Sequence, residues 1–201
     1  LTGLANRALF LDRLQQALDR SARTGAGIAV CVLDLDAFKP VNDDHGHLVG
    51  DDLLRTVAER FRAAVRPGDT VARLGGDEFG VLLEDVLPDR AEAVAARFVD
   101  SLRRPVLALG QALTVSVSGG VAVATGGGRT ADQLMHEADM AMYHVKTRGG
   151  GRLVVFEPEM LRTDPRSVGL EVLDLLADPA GIAVEHQPIC SLADGRVVGF
   201  E

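Results

Sequence analysis

Thr70-Val-Ala-Arg-Leu-Gly-Gly-Asp-Glu-Phe-Gly-Val-Leu-Leu83 reads as two apolar arms around a polar, glycine-bearing centre. Residues 70–74 and 79–83 have strand composition, and Gly75-Gly76 between them predicts a hairpin turn. Upstream, Leu53, Leu54, Val57, Ala58, Phe61 and Ala64 recur at helical spacing over 51–65, and Pro67-Gly68 stops that helix. Before it, Gly27-Ile-Ala-Val-Cys-Val-Leu33 is short, apolar and rich in β-branched residues, as a buried strand is, and Asp34-Leu-Asp36 ends it. The polar stretch from there through Asn42 and Gly46 reads as a loop. Downstream come a helix over 89–103 and a strand over 112–124 with a break at Gly119-Gly120. A helix over 130–147 with Thr130 as N-cap and a last short strand over 153–156 follow. An amphipathic helix over 6–22 precedes everything.

Strand, helix, hairpin, helix, strand is the order of the ferredoxin-like βαββαβ unit, so the fold class is α/β (α+β), an antiparallel central sheet flanked by helices. A right-handed crossover sets the first two strands parallel, and the hairpin returns the third strand between them. That brings Asp34 beside Asp77 and Glu78 at one edge of the sheet. Singly, each is ordinary: Asp commonly ends strands, and Asp after Gly-Gly is turn chemistry. Three carboxylates in one place are costly unless a cation offsets them, and Mg²⁺ typically takes one or two carboxylates plus substrate phosphates.

Composition narrows the alternatives. The 201 residues are 47% hydrophobic, enough for one full domain with a remainder too short for its own core. A net charge of −8 with no Lys/Arg-rich run argues against nucleic acid. No apolar run approaches the ~18 residues of a membrane span, so no membrane contact is expected within this fragment. Cys31 and Cys190 stand far apart, one inside an apolar run, which predicts a reducing, cytoplasmic setting. The chain opens at Leu1 without methionine and reads as part of something longer.

Arg73-Leu-Gly-Gly-Asp-Glu-Phe79 resembles the signature of the GGDEF family of diguanylate cyclases, whose core resembles the nucleotidyl cyclase and polymerase palm. Leu1-Thr-Gly-Leu-Ala-Asn-Arg7, Asp34-Leu-Asp-Ala-Phe-Lys-Pro-Val-Asn-Asp43, Gly46-His47, Gly50-Asp51 and Ala138-Asp-Met-Ala-Met-Tyr143 fall in the same register. The resemblance implies condensation of two GTP into cyclic di-GMP and two pyrophosphates by a homodimer that pairs two half-sites. It implies Mg²⁺ or Mn²⁺ held by Asp34, the Leu35 carbonyl, Asp77 and Glu78, with Asp77, Glu78 and Lys39 catalytic. Ala37 and Phe38 backbone amides, Lys39, Gly75 and Lys146 would contact substrate, and Asn42, His47 and Asp51 would surround guanine. One departure stands out: the family has an arginine four positions after Lys146, and here that position is Gly150, with Arg148 and Arg152 as candidates to substitute.

Arg66-Pro-Gly-Asp69 has the spacing of the family's inhibitory product site, and Arg97 falls where its second arginine is expected, which makes cyclic di-GMP an allosteric inhibitor as well as product. Residues 168–176 read as a helix and 182–192 and 196–200 as two strands, and the tail from Glu185 to Glu201 resembles the opening of an EAL phosphodiesterase domain. The expected organisation is a GGDEF domain over 1–157, a linker over 158–169 and a truncated EAL N-terminal fragment over 170–201. Activity as a cyclase is the primary reading. A catalytically silent GTP- or cyclic di-GMP-binding module regulating an adjacent EAL domain is the alternative; the intact Asp34, Lys39, Asp77 and Glu78 favour activity, and Gly150 leaves the alternative open.

Overall fold

A computed structural model describes residues 1–163, 188–190 and 197–200. Five strands form one sheet in the order β2-β3-β1-β6-β7, with β1 Gly27–Leu35, β2 Thr70–Gly75, β3 Glu78–Glu84, β6 Val117–Thr125 and β7 Leu153–Val155. β1 pairs antiparallel with both β3 and β6, and β3 antiparallel with β2, as the βαββαβ reading requires. β7 adds a parallel edge beside β6. The β2 edge is covered where Arg73 N donates to Ala5 O at 2.9 Å, which blunts an otherwise exposed ladder.

Alternation along β1 divides the molecule into layers. Ala29, Cys31, Leu33 and Leu35 face one core with α3 (His47–Ala64) and α4 (Pro88–Leu102). Ile28, Val30 and Val32 face the other with α1 (Arg7–Thr24) and α5 (Ala131–Lys146). In the first core Phe61 packs edge-on against Phe79 at 5.2 Å and Phe98 at 5.4 Å between ring centroids, tying helix, hairpin and helix together. The helix ends follow capping rules. Asn6 Oδ1 accepts from Leu9 N at 2.9 Å, and Thr130 with Gln133 makes a reciprocal capping box, each cap contributing about 0.5–2 kcal/mol.

The structure corrects several expectations. Residues expected as loop form α2 (Phe38–His45), and the next helix starts at His47 rather than at residue 51. The span 112–124 is not one strand. A separate hairpin of β4 (Val106–Ala108) and β5 (Gln111–Leu113) precedes β6. Gly119-Gly120 is not a break but lies inside β6, because a Cβ on Gly120 would stand 2.0 Å from Ala138 O; its bareness lets α5 lie close on the sheet. β1 runs on through Asp34 to Leu35, and its C-terminal end lies beside the hairpin tip, so the carboxylates meet at that end of the sheet as the topology required.

The chain divides into two compact units, Leu1–Arg162 and Thr163–Glu201. A 3₁₀ helix, Pro158–Thr163, spans that division. In the second unit β8 (Pro188–Cys190) and β9 (Val197–Phe200) pair antiparallel, within the two strands expected there. The helix expected over 168–176 lies outside the described residues.

Candidate active site

The cross-strand register puts Asp34 directly opposite Glu78, on the sheet face that carries Val32 and Leu82. Directly opposed like charges in a sheet repel. The turn between β2 and β3 is Gly76-Asp77, one residue later than the sequence suggested, since Gly75 already pairs with Glu78. Three contacts fix this tip. Arg73 Nε donates to Gly76 O at 2.8 Å, Leu35 N donates to Asp77 O at 3.3 Å, and Phe79 is fully buried just behind. The signature thus contains both its chemistry and its own anchor.

Asp34, Asp77 and Glu78 are all half-buried. Burial raises the Asp34 carboxyl above its ordinary range, and the nearby Asp77 and Asp36 charges add to this. Lys146 Nζ, 2.6 Å from Asp34 Oδ1, opposes the rise without cancelling it. Glu78 is raised first by burial, then by Asp34, Asp139 and Asp77. Among the described residues the side chains of Asp77 and Glu78 have no hydrogen-bond partner, so their oxygens remain available. No three His, Cys, Asp or Glu side chains among the described residues converge into a ready-made metal cage. The donor set nonetheless fits a hard divalent cation: all oxygen, mutually repelling, and open toward the place where substrate phosphates would complete the coordination.

Beyond β1 the backbone turns through Ala37 at φ +58°, an uncommon conformation for a residue with a Cβ, and then starts α2. Strain of this kind concentrates at functional sites. Phe38 and Lys39 are the first residues of α2, and Lys39 is exposed with no ion-pair partner among the described residues. The packing of α2 on α3 brings Asn42 against Gly50: a Cβ there would be 2.0 Å from Asn42 Oδ1. Asn42 thus lies against the residue that precedes Asp51; both Asn42 and Asp51 are half-buried, and neither side chain is hydrogen-bonded to another described residue. His47 is the exposed first residue of α3, beside Leu48, which is 76% exposed.

Sequence reasoning missed the role of Asp36. Its carboxylate accepts from Ser116 Oγ and Ser118 Oγ, both at 2.6 Å, and from Gly151 N at 3.2 Å. It fastens the glycine loop after α5 to β6. The two serines are remote in sequence, so no local pattern announces this role. Gly150 lies in that loop at φ +71°, and a Cβ would approach Ser118 Oγ to 2.9 Å, so the loop is built for glycine. Arg148 turns to His144, with Nη1 3.2 Å from Nδ1. Burial first, then Arg148 and Arg152, lowers the His144 pKa. Lys146 is the cation that meets the carboxylates; Arg148 lies against His144 instead.

At the far end of the hairpin, Arg66, Asp69 and Arg97 line one cavity of about 370 Å³, together with Arg90, which the motif did not reveal. Asp69 has little freedom there. Its oxygens accept from Arg66 N at 3.2 Å and Glu84 N at 3.3 Å, and its side chain is only 5% exposed.

With this arrangement in place, the comparisons define the class. Residues 1–152 match the family model described as the diguanylate cyclase, GGDEF domain, and the chain belongs to that family. It is 40% identical over its whole length to MucR of Pseudomonas aeruginosa, a bifunctional diguanylate cyclase/cyclic di-GMP phosphodiesterase, of which it covers 30%. Over 82% of the chain it is 40% identical to the P. aeruginosa diguanylate cyclase TpbB, 39% of which is covered. The solved GGDEF domain of TpbB superposes with a TM-score of 0.77 at 37% identity, covering 80% of this chain and 95% of that one. The coiled coil and GGDEF domain of DgcB from Caulobacter crescentus, solved with c-di-GMP, gives 0.69 at 30% identity, covering 77% and 82%. The chain spans about a third or less of the length of the first curated relatives it matches. Among the described residues no helix is long and apolar enough to cross a membrane.

Proposed function

We propose that this domain condenses two GTP into cyclic di-GMP and two pyrophosphates. The observation that carries the reading is the pairing of Asp34 with Glu78 across adjacent strands, with Asp77 at the tip of the same turn. Asp34, the Leu35 carbonyl, Asp77 and Glu78 would hold Mg²⁺ or Mn²⁺. When bound, such a metal polarises the α-phosphate and lowers the pKa of the attacking ribose hydroxyl.

The chain's own groups divide the remaining work. Ala37 and Phe38 present backbone amides, and the exposed Lys39 ammonium stabilises charge that grows on the phosphoryl oxygens. Asn42 and Asp51 meet guanine with acceptors and donors that no other described residue occupies, and adenine lacks the matching edge. His47 borders that pocket, Gly75 leaves the hairpin tip open to the substrate, and Lys146 moves between Asp34 and the phosphates. Glu78, its carboxyl raised, takes up a proton more readily than an ordinary carboxylate does.

One domain holds one GTP, so a homodimer completes the reaction. Arg66, Asp69 and Arg97 form the inhibitory product site. The domain assignment is GGDEF over 1–157, linker over 158–169 and the opening of an EAL domain from 170; the hairpin of β8 and β9 supports the last part. The test is purified protein with GTP and Mg²⁺ or Mn²⁺, followed by chromatography of the nucleotides. Cyclic di-GMP with a rate per protein that climbs with protein concentration is expected. GTP bound but unconverted at every concentration would replace the cyclase reading with the silent regulatory module.

A further inference from the structure

A cavity of about 560 Å³ opens on the side of the domain where residues 3–5 run along β2, between α1 and the last turn of α3. Three arginines line it: Arg13 on α1, Arg62 in the last turn of α3, and Arg66 just beyond. Its one acidic lining residue is Asp69, whose oxygens are already taken by two backbone N–H groups. Arg13 and Arg62 make no ion pair among the described residues. Arg13 Nη1 donates to Thr70 Oγ1 at 3.1 Å and Arg62 Nη2 to Gly3 O at 3.1 Å, both neutral acceptors. Arg66 Nε pairs with Asp69 Oδ1 at 3.5 Å, so among the described residues two guanidinium charges, those of Arg13 and Arg62, stand unneutralised in one concavity of a chain whose net charge is −8. The same cavity is lined by Leu4, Leu9 and Val65, and Leu9 is 42% exposed although it sits on an otherwise amphipathic helix.

Guanidinium groups and apolar side chains lining one concavity are the chemistry of a site for an anion with an apolar body. The volume lies within the few hundred to a thousand Å³ of small-molecule sites. Guanidinium forks match phosphate oxygens two at a time.

We propose that this cavity is a third small-molecule site, apart from the substrate corner and adjoining the product pocket, with which it shares Arg66 and Asp69, and that it takes an organic phosphate of nucleoside-monophosphate size. Arg13 and Arg62 hold the phosphate, and the ring lies on Leu4, Leu9 and Val65. Arg66 lines both this cavity and the neighbouring product pocket, where it also donates to the Glu84 and Asp85 carbonyls. A ligand that draws Arg66 toward Arg62 removes it from the product pocket, so the two sites oppose each other. That coupling rests on the product-site reading; the binding site itself does not.

The experiment is calorimetric titration of AMP into the whole chain, since adenine is rejected by a guanine-reading pocket. Wild type should bind AMP, with adenosine and inorganic phosphate each at least tenfold weaker. Arg13→Gln/Arg62→Gln should weaken AMP at least tenfold, as expected when charged hydrogen bonds worth roughly 1.5–3 kcal/mol each are lost. Arg13→Gln alone serves if the double variant fails to fold, and Arg97→Ala should leave AMP binding unchanged. Absence of AMP binding, equal binding by wild type and the rim variants, or inorganic phosphate binding as tightly as AMP would overturn the proposal. The readout involves no GTP turnover, so it stands or falls apart from the cyclase assignment.

Discussion

The two ends of the β2–β3 hairpin carry the same side-chain chemistry in opposite conditions. At the tip, Asp77 and Glu78 are half-buried, and their side chains make no hydrogen bonds to described residues. At the far end, Asp69 is nearly enclosed and both of its oxygens accept from backbone N–H groups. A carboxylate with filled acceptors holds structure together. One left open in a crowded, partly desolvated corner is costly to the fold and available to a cation or substrate. Asp36, filled by two serines and Gly151, belongs with Asp69, although it lies two residues from Asp34.

This contrast can be broken by substitution. Outside the hairpin tip, Lys39→Ala should have the largest effect, lowering turnover by about a hundredfold or more, because the role proposed for this exposed cation is to stabilise phosphoryl charge and it has no ion-pair partner among the described residues. Its thermal unfolding should match wild type, and a loss of stability equal to the loss of activity would place Lys39 in the fold instead. Asp69→Ala should do the reverse. It removes two backbone hydrogen bonds and should cost about 1–3 kcal/mol in denaturant unfolding, while the corner formed by Asp34, Asp77 and Glu78 keeps its geometry.

Gly150→Arg, which restores the residue type the family pattern has there, should fail to improve turnover. It should also cost about 1–2 kcal/mol, because the position is left-handed and its Cβ space is taken by Ser118 Oγ. A faster and equally stable variant would show that the loop reshapes freely.

The smallest effect concerns Glu78. Its carboxyl is raised in the fold by burial and by neighbouring charges, so its contribution to stability is present at low pH and lost as pH rises through the folded-state pKa. At pH 7 without metal, Glu78→Gln should therefore melt slightly above wild type. The gap should close as pH falls through the carboxylate range. A variant that melts below wild type at pH 7 would mean that the glutamate is structural.

Much of this was legible in the sequence because apolar periodicity and the hairpin signal are local. The strand order followed from chain order and handedness, and Asp34 met Glu78 as that topology required. Helix α2 was not legible, because Phe38–His45 buries no residue fully and carries Pro40, Asp43 and Asp44. Its proline falls in the first turn, where the missing N–H costs nothing. The β4–β5 hairpin was missed because three-residue arms leave no period to read. Gly119-Gly120 looked like a break because the need it meets, close approach of α5, is tertiary. The role of Asp36 and the filling of Asp69 depend on partners such as Ser116, Ser118 and Glu84, which no spacing rule connects to them.

The central claim is that the open carboxylates at the hairpin tip, and not the filled ones, carry the chemistry. The direct measurement is cyclic di-GMP formation from GTP and Mg²⁺ or Mn²⁺ by Asp77→Ala beside wild type, with thermal unfolding recorded for both. The account predicts a folded variant of near wild-type stability that makes no detectable product. A folded Asp77→Ala protein that forms cyclic di-GMP at close to the wild-type rate would contradict it.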